Sequence, residues 1–181
     1  MRNVLLMLAL AGSWGANTGH AVEVSGVVVP DTAGELPLKG SGLLRWKWVF
    51  KIYVGALYLP AGTAETAVLT TTPKRLAFTY RRDFSSEDLR KATDATIFRG
   101  LQETEMVRLK PLLAIWNAGY PAVVEGDCLT IDHRANDDLI LAVNGQERAR
   151  VKDGAFAQAM FGIWLGPQAI SDSFKAELLG R

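Results

Sequence analysis

Residues 43–59 (LLRWKWVFKIYVGALYL) limit the fold more than any other stretch. Aromatic and β-branched side chains suit a pleated, half-buried surface, so this segment predicts one long strand, or two strands with a bend. Pro60 ends it. With a period of two, Trp48, Phe50, Ile52, Val54, Ala56 and Tyr58 share one face. Val49, Lys51, Tyr53, Gly55, Leu57 and Leu59 share the other. Both faces are largely apolar, which predicts a central strand covered on both sides.

The remaining elements follow from period and punctuation. Residues 22–29 read as a strand that Pro30 stops, and 74–81 as another. Ser85 caps a helix whose first turn carries Glu87 and Asp88; Leu89, Ala92, Thr96, Ile97, Gly100 and Leu101 form its stripe. A second helix covers 103–118, with Pro111 expected to kink or break it and Gly119 to stop it. Residues 127–132, 139–143 and 147–151 read as a meander, turned at Asn144-Gly145. Asp153 caps a helix with the stripe Phe156, Ala159, Met160, Ile163 and Trp164, and Ser171 caps a last short helix to Leu179. Grouped strands and paired helices predict an α+β fold: an antiparallel sheet with a layer of helices on one face.

The first 21 residues have the order of a cleavable export signal. Arg2 precedes an apolar run from Val4 to Ala11, and Gly19 and Ala21 supply the small residues of a cleavage site. The run is far shorter than the roughly 20 residues of a spanning helix. The expectation is a leader over 1–21, one domain over 22–181, and a periplasmic or secreted location without an integral membrane segment. The chain has 20 basic and 19 acidic residues. A near-neutral domain with no basic run is a poor nucleic-acid binder, and shows no polybasic tract for anionic lipid. Cys128 is the single cysteine, so no disulfide forms within the chain, and its alternating surroundings predict a buried apolar thiol.

Familiar catalytic groups are scarce. Apart from His20 in the leader, His133 is the one histidine, and it falls in a stretch expected to be a solvated hairpin loop. One cysteine and one such histidine do not suit zinc, the acids after Ile131 lack the spacing of a calcium loop, and there is no phosphate loop. No metal or cofactor is expected. Cations in an apolar strand remain: Lys51 and Tyr53 share a face, and Arg45 joins them if no bulge intervenes. A buried cation needs a partner. Either these side chains snorkel to an edge or pair with a structural acid, or they hold an anion or carboxylate in an apolar cleft.

Residues 42–59, the stretch 80–84 (YRRDF) and the stretch 154–166 (GAFAQAMFGIWLG), in that order, resemble the chalcone isomerase-like proteins, and most of all their exported bacterial branch. The resemblance runs from about Gly40 to Leu179. It implies a sheet with a helical layer and an apolar ligand cleft between them. In plant members that cleft closes a chalcone to a flavanone without a cofactor; related non-catalytic members bind fatty acids there.

The plant catalytic side chains do not carry over. The catalytic arginine aligns with Ser41, the strand threonine with Tyr53, and the active-site tyrosine with Glu103 or Thr104. The asparagine aligns with Lys110 or Pro111, and the hydroxyl of the penultimate helix with Ala157. Arg45 and Tyr53 offer a rewired charge-stabilising pair. The resemblance therefore implies a binder of a small amphipathic or acidic ligand, a fatty acid or aromatic acid. Arg45, Lys51, Tyr53, Thr104 and Gln158 are the candidate ligand-binding residues. The alternatives are a cofactor-independent isomerase (an intramolecular lyase) using Arg45 and Tyr53, and an interaction protein whose cleft its own side chains fill.

Overall fold

The computed structural model describes residues 21–47 and 49–181. The expected leader lies outside these residues, apart from Ala21.

The chain opens with a small hairpin, β1 (Val22–Val24) and β2 (Val27–Val29). One strand was expected across both. Ser25 and Gly26 break it, with φ of 51° and 80°, a left-handed pair that reverses the chain. Then come β3 (Thr32–Ala33), β4 (Leu36–Trp46), β5 (Phe50–Tyr58), β6 (Lys74–Tyr80), β7 (Cys128–His133), β8 (Asp138–Val143) and β9 (Gln146–Lys152). These seven strands lie in chain order in one antiparallel sheet. The aromatic segment of the sequence is thus the end of β4, a turn, and all of β5: the second of the two expected alternatives, with a full reversal in place of a bend. Lys47, at φ 50°, makes the turn.

Among the described residues four α-helices pack on one face: α1 (Ser86–Asp94), α2 (Glu103–Ala118), α3 (Gly154–Leu165) and α4 (Asp172–Leu178). The architecture is the expected α+β arrangement. Ser85 and Asp88 form a reciprocal capping box on α1, and Asp153 and Ser171 accept from Phe156 N and Phe174 N at the starts of α3 and α4. The helix α1 stops at Asp94, short of the expected stripe, and Gly100 is outside it at φ 76°. Pro111 does not break α2. A proline frees the carbonyl four residues back. That residue, Val107, is 59% exposed, so solvent can serve the carbonyl.

Alternation along the strands sorts the core into two layers. Leu57, Leu76, Phe78, Ile131 and Leu141 meet Trp116, Phe156, Met160 and Phe161 between sheet and helices. Val54, Ala56, Tyr58 and Leu43 face the other way and are covered by Val29 of the small hairpin and its neighbours. The helix α4 sits unusually close to the sheet. A Cβ at Gly42 would collide with the Glu177 side chain, and one at Gly55 with the Phe174 ring. Gly42 and Gly55 are register partners, so two bare positions side by side seat this helix.

His133, expected in a solvated loop, is buried at the end of β7. Its Nδ1 lies 3.0 Å from Lys74 Nζ, which also donates to the carbonyls of Thr70 and Thr72. The ammonium thereby spends all three of its protons, which is how a buried lysine is tolerated. His133 Nε2 faces Asp137 at 3.3 Å. Cys128 is half-buried, its thiol pushed up by burial.

Candidate functional site

An open apolar cavity of about 270 Å³ lies between the sheet and the helical layer. Tyr53, Phe78, Tyr80, Leu129 and Ile131 form its floor on the sheet. Leu89, Ala92, Thr93 and Thr96 form one wall, and Tyr120, Ile163, Trp164 and Ile170 close it. The chain's own side chains do not fill it. Its lining is apolar because the inward positions of β5, β6 and β7 carry aromatic and branched residues, set by the period of two.

Three phenols reach this space, in different hydrogen-bonding states. Tyr120 Oη accepts from Trp116 Nε1 at 3.0 Å and lies 2.9 Å from Thr93 Oγ1. Thr93 Oγ1 in turn donates to the Leu89 carbonyl. Tyr120 therefore donates to Thr93, and its group is closed. Tyr53 Oη accepts from Trp164 Nε1 at 2.8 Å. Its own proton has no acceptor among the described residues, and neither does that of Tyr80. Burial lifts the Tyr53 and Tyr80 phenols well above the usual value, with the Trp164 bond opposing it at Tyr53. Both are thus proton donors rather than bases. The Tyr53 ring is fixed edge-on against Phe78 at 4.7 Å and Tyr80 at 5.7 Å, a packing that holds the hydroxyl in place.

The cavity opens into an outer vestibule that shares Leu44, Ile52, Phe84, Asp88 and Ile170 with it, and adds Arg45, Trp46, Arg82 and Asp83. Arg82 stands over Phe50 and Phe84, at 5.6 and 5.8 Å. Neither Arg45 nor Arg82 makes a salt bridge among the described residues. Asp88 is engaged by Ser85, which lowers its pKa, and Asp83 accepts from Glu125 N.

Of the residues singled out in the sequence, Tyr53 lines the cavity and Arg45 lines its vestibule. Lys51, Thr104 and Gln158 are exposed and line neither. The face-sharing expected of Lys51, Tyr53 and Arg45 fails at a bulge: Leu44 pairs with Tyr53, but Arg45 pairs with Lys51, leaving Ile52 unpaired. One extra residue moves Lys51 off the face of Tyr53. Ser41, aligned with the plant catalytic arginine, pairs with Ala56 of the opposite core layer, and Ala157 is buried in α3; neither touches the cavity. Tyr80, Trp164 and Arg82 escaped the sequence reading as site residues. All three lie within the motifs that carried the resemblance, which was the signal available.

Among the described residues no group of three His, Cys, Asp or Glu side chains is placed to hold a metal ion, and no helix is long and apolar enough to cross a membrane.

The sequence model of the chalcone isomerase-like family matches residues 21–180. No curated protein sequence is significantly similar. Among solved structures, a fatty-acid binding protein of Arabidopsis thaliana superposes with a TM-score of 0.69. It is 11% identical, over 88% of this chain and 96% of its own. At that identity the likeness is one of fold.

Proposed function

Because this chain belongs to the chalcone isomerase-like family, we propose that it is an exported bacterial member that binds a small amphipathic acid. The acyl or aromatic part fills the cavity, and the carboxylate is held at the vestibule by Arg45 and Arg82. The observation that carries this reading is an unfilled apolar cavity whose mouth is lined by two arginines without acid partners among the described residues. A carboxylate inside the cavity would be a buried charge beside no cation, whereas at the mouth it keeps solvent and gains charge-assisted bonds. The fatty-acid binding structure of the same fold supports the ligand class. The leader pattern of residues 1–21 supports export, and the intact mass of the secreted chain, with cleavage after Ala21, tests that part. The test of binding is calorimetric titration of the delipidated protein with fatty and aromatic acids. Absence of heat and of displacement across both series defeats the reading.

Tyr53 favours a second reading, a cofactor-independent isomerase. Its unspent proton, held in place by Trp164, suits a developing oxyanion. Plant-type cyclisation has little support, because Ser41 and Ala157 stand where its charge-stabilising groups align. Turnover of a chalcone well above the spontaneous rate, lost in Tyr53→Phe, would favour the enzyme.

A further inference from the structure

The β4–β5 hairpin ends in a tip that the ligand reading does not use. Trp46, Val49 and Phe50 are 55%, 75% and 45% exposed there. Trp46 and Phe50 are register partners whose rings lie 5.7 Å apart, so they form one apolar surface. Around them stand Arg45, Lys47, Lys51 and Arg82. Lys47 Nζ lies 4.4 Å from the Trp46 ring centre and Arg82 5.6 Å from that of Phe50. None of the four has an acid within salt-bridge distance among the described residues, and the sequence has no acidic residue between Glu35 and Glu65. The linear sequence shows no basic run because the fold builds this cluster, by pairing Arg45 with Lys51 and bringing Arg82 from beyond β6.

We infer that this tip docks on an anionic lipid bilayer, with the vestibule turned to the membrane. Indole rings beside lysines and arginines are the side chains that settle at a membrane interface, the ring among acyl chains and headgroups and the cation against phosphate. The charge is complementary: unpaired cations meet anionic headgroups, each contributing about fivefold in partitioning. Position adds the third reason. Arg45, Trp46 and Arg82 belong both to the tip and to the vestibule, so a docked tip places the cavity mouth at the lipid surface. Docking rests on the tip alone; only the passage of ligand from bilayer to cavity rests on the ligand reading.

The experiment is flotation of the full exported chain with vesicles of phosphatidylcholine, alone or with phosphatidylglycerol as the minor component. The chain should float with the anionic vesicles and much less with the neutral ones. Lys47→Glu with Lys51→Glu should lower anionic partitioning by about 25-fold or more, two cations at about fivefold each. Val49→Ser should weaken binding to both vesicle types. None of these three residues lines the cavity or its vestibule, so calorimetric acid binding and the urea midpoint should stay unchanged, which shows that the variants are folded. Any leader retained is common to all variants and cancels. Equal flotation of wild type and both variants overturns the inference. So does failure to float combined with tight binding of a nucleic acid or of an acidic protein, or with self-association through the tip. Acid binding in solution without flotation removes docking and leaves the ligand reading; flotation without acid binding does the reverse.

Discussion

Trp164 on α3 donates its indole N–H to the Tyr53 hydroxyl on β5 at 2.8 Å, joining helix layer and sheet at the cavity wall. The bond fixes the direction of the phenol without consuming its proton. It also makes each partner depend on the other. Tyr53→Phe leaves a buried indole N–H without an acceptor and should cost about 1–3 kcal/mol. Trp164→Phe introduced into Tyr53→Phe should then cost less than Trp164→Phe in the wild type, because no orphaned donor remains. Urea unfolding of the four proteins gives the coupling. Additive costs would show that the two residues do not support each other.

The cavity volume sets a ligand size. At about 270 Å³ it falls just below the roughly 300–1,000 Å³ of small-molecule pockets. Saturated acids of medium length should therefore bind more tightly than long ones, measured by calorimetry across a chain-length series. Affinity that keeps rising to the longest chains would mean that the tail lies outside the cavity. Ala92 lies at the rim, lining the cavity while exposed. Ala92→Trp should narrow the entrance and weaken acid binding by about tenfold, near 1.4 kcal/mol, with little change in the urea midpoint.

The Lys74–His133 contact predicts a pH dependence of stability. Burial lowers the Lys74 pKa from its ordinary 10.5 to about 8. Between those values the unfolded chain binds more protons than the folded one, so stability rises with pH across about 8 to 10. Burial and Lys74 also push His133 below its ordinary 6.5, so stability falls as pH drops through that value. The tyrosines act in the opposite sense above pH 10: Tyr53 and Tyr80 are raised, and Tyr58 is pushed up to about 12. Urea midpoints of wild type and Lys74→Met across pH 5 to about 10 test this, the variant losing the alkaline slope. An unchanged slope would place the titration elsewhere.

The secondary structure was legible where one signal dominated. Ser85, Asp153 and Ser171 marked helix starts because a cap is a local device, and Asn144-Gly145 marked its turn for the same reason. Residues 43–59 read as one long strand or as two strands with a bend; two strands form, but their full reversal was not legible, because Trp46, Lys47 and Val49 carry no glycine or proline to announce it. Lys51 was placed on the side of Tyr53, and Arg45 only on the condition that no bulge intervene; the bulge at Ile52 depends on pairing with β4, which no single-strand pattern records. His133 looked solvated among charged neighbours; its burial comes from Lys74, distant in sequence and adjacent in the sheet. The cavity floor was partly foreseeable through Tyr53. The pairing of Tyr53 with Trp164 and the arrival of Arg82 at the mouth are products of tertiary packing.

Arg45 and Arg82 at the mouth make the sharpest test of the ligand reading. Both are exposed and without acid partners among the described residues, so neither is needed to neutralise a buried charge. An arginine meets a carboxylate through two parallel N–H donors, and lysine lacks that planar fork. Hydrogen bonds to charged groups contribute about 1.5–3 kcal/mol, and solvent exposure puts these at the lower end. Arg45→Ala and Arg82→Ala should each weaken acid binding by roughly tenfold, and Arg45→Lys should restore part of it. Methyl esters of the same acids should bind wild type and variants alike, since they carry no charge to lose. Urea midpoints should move little. If Arg45→Ala leaves acid binding intact yet lowers the midpoint sharply, Arg45 is a structural residue of the hairpin. If Arg82→Ala is silent as well, the carboxylate lies at the Tyr53 and Tyr80 hydroxyls, and Tyr53→Phe with Tyr80→Phe becomes the substitution that abolishes binding.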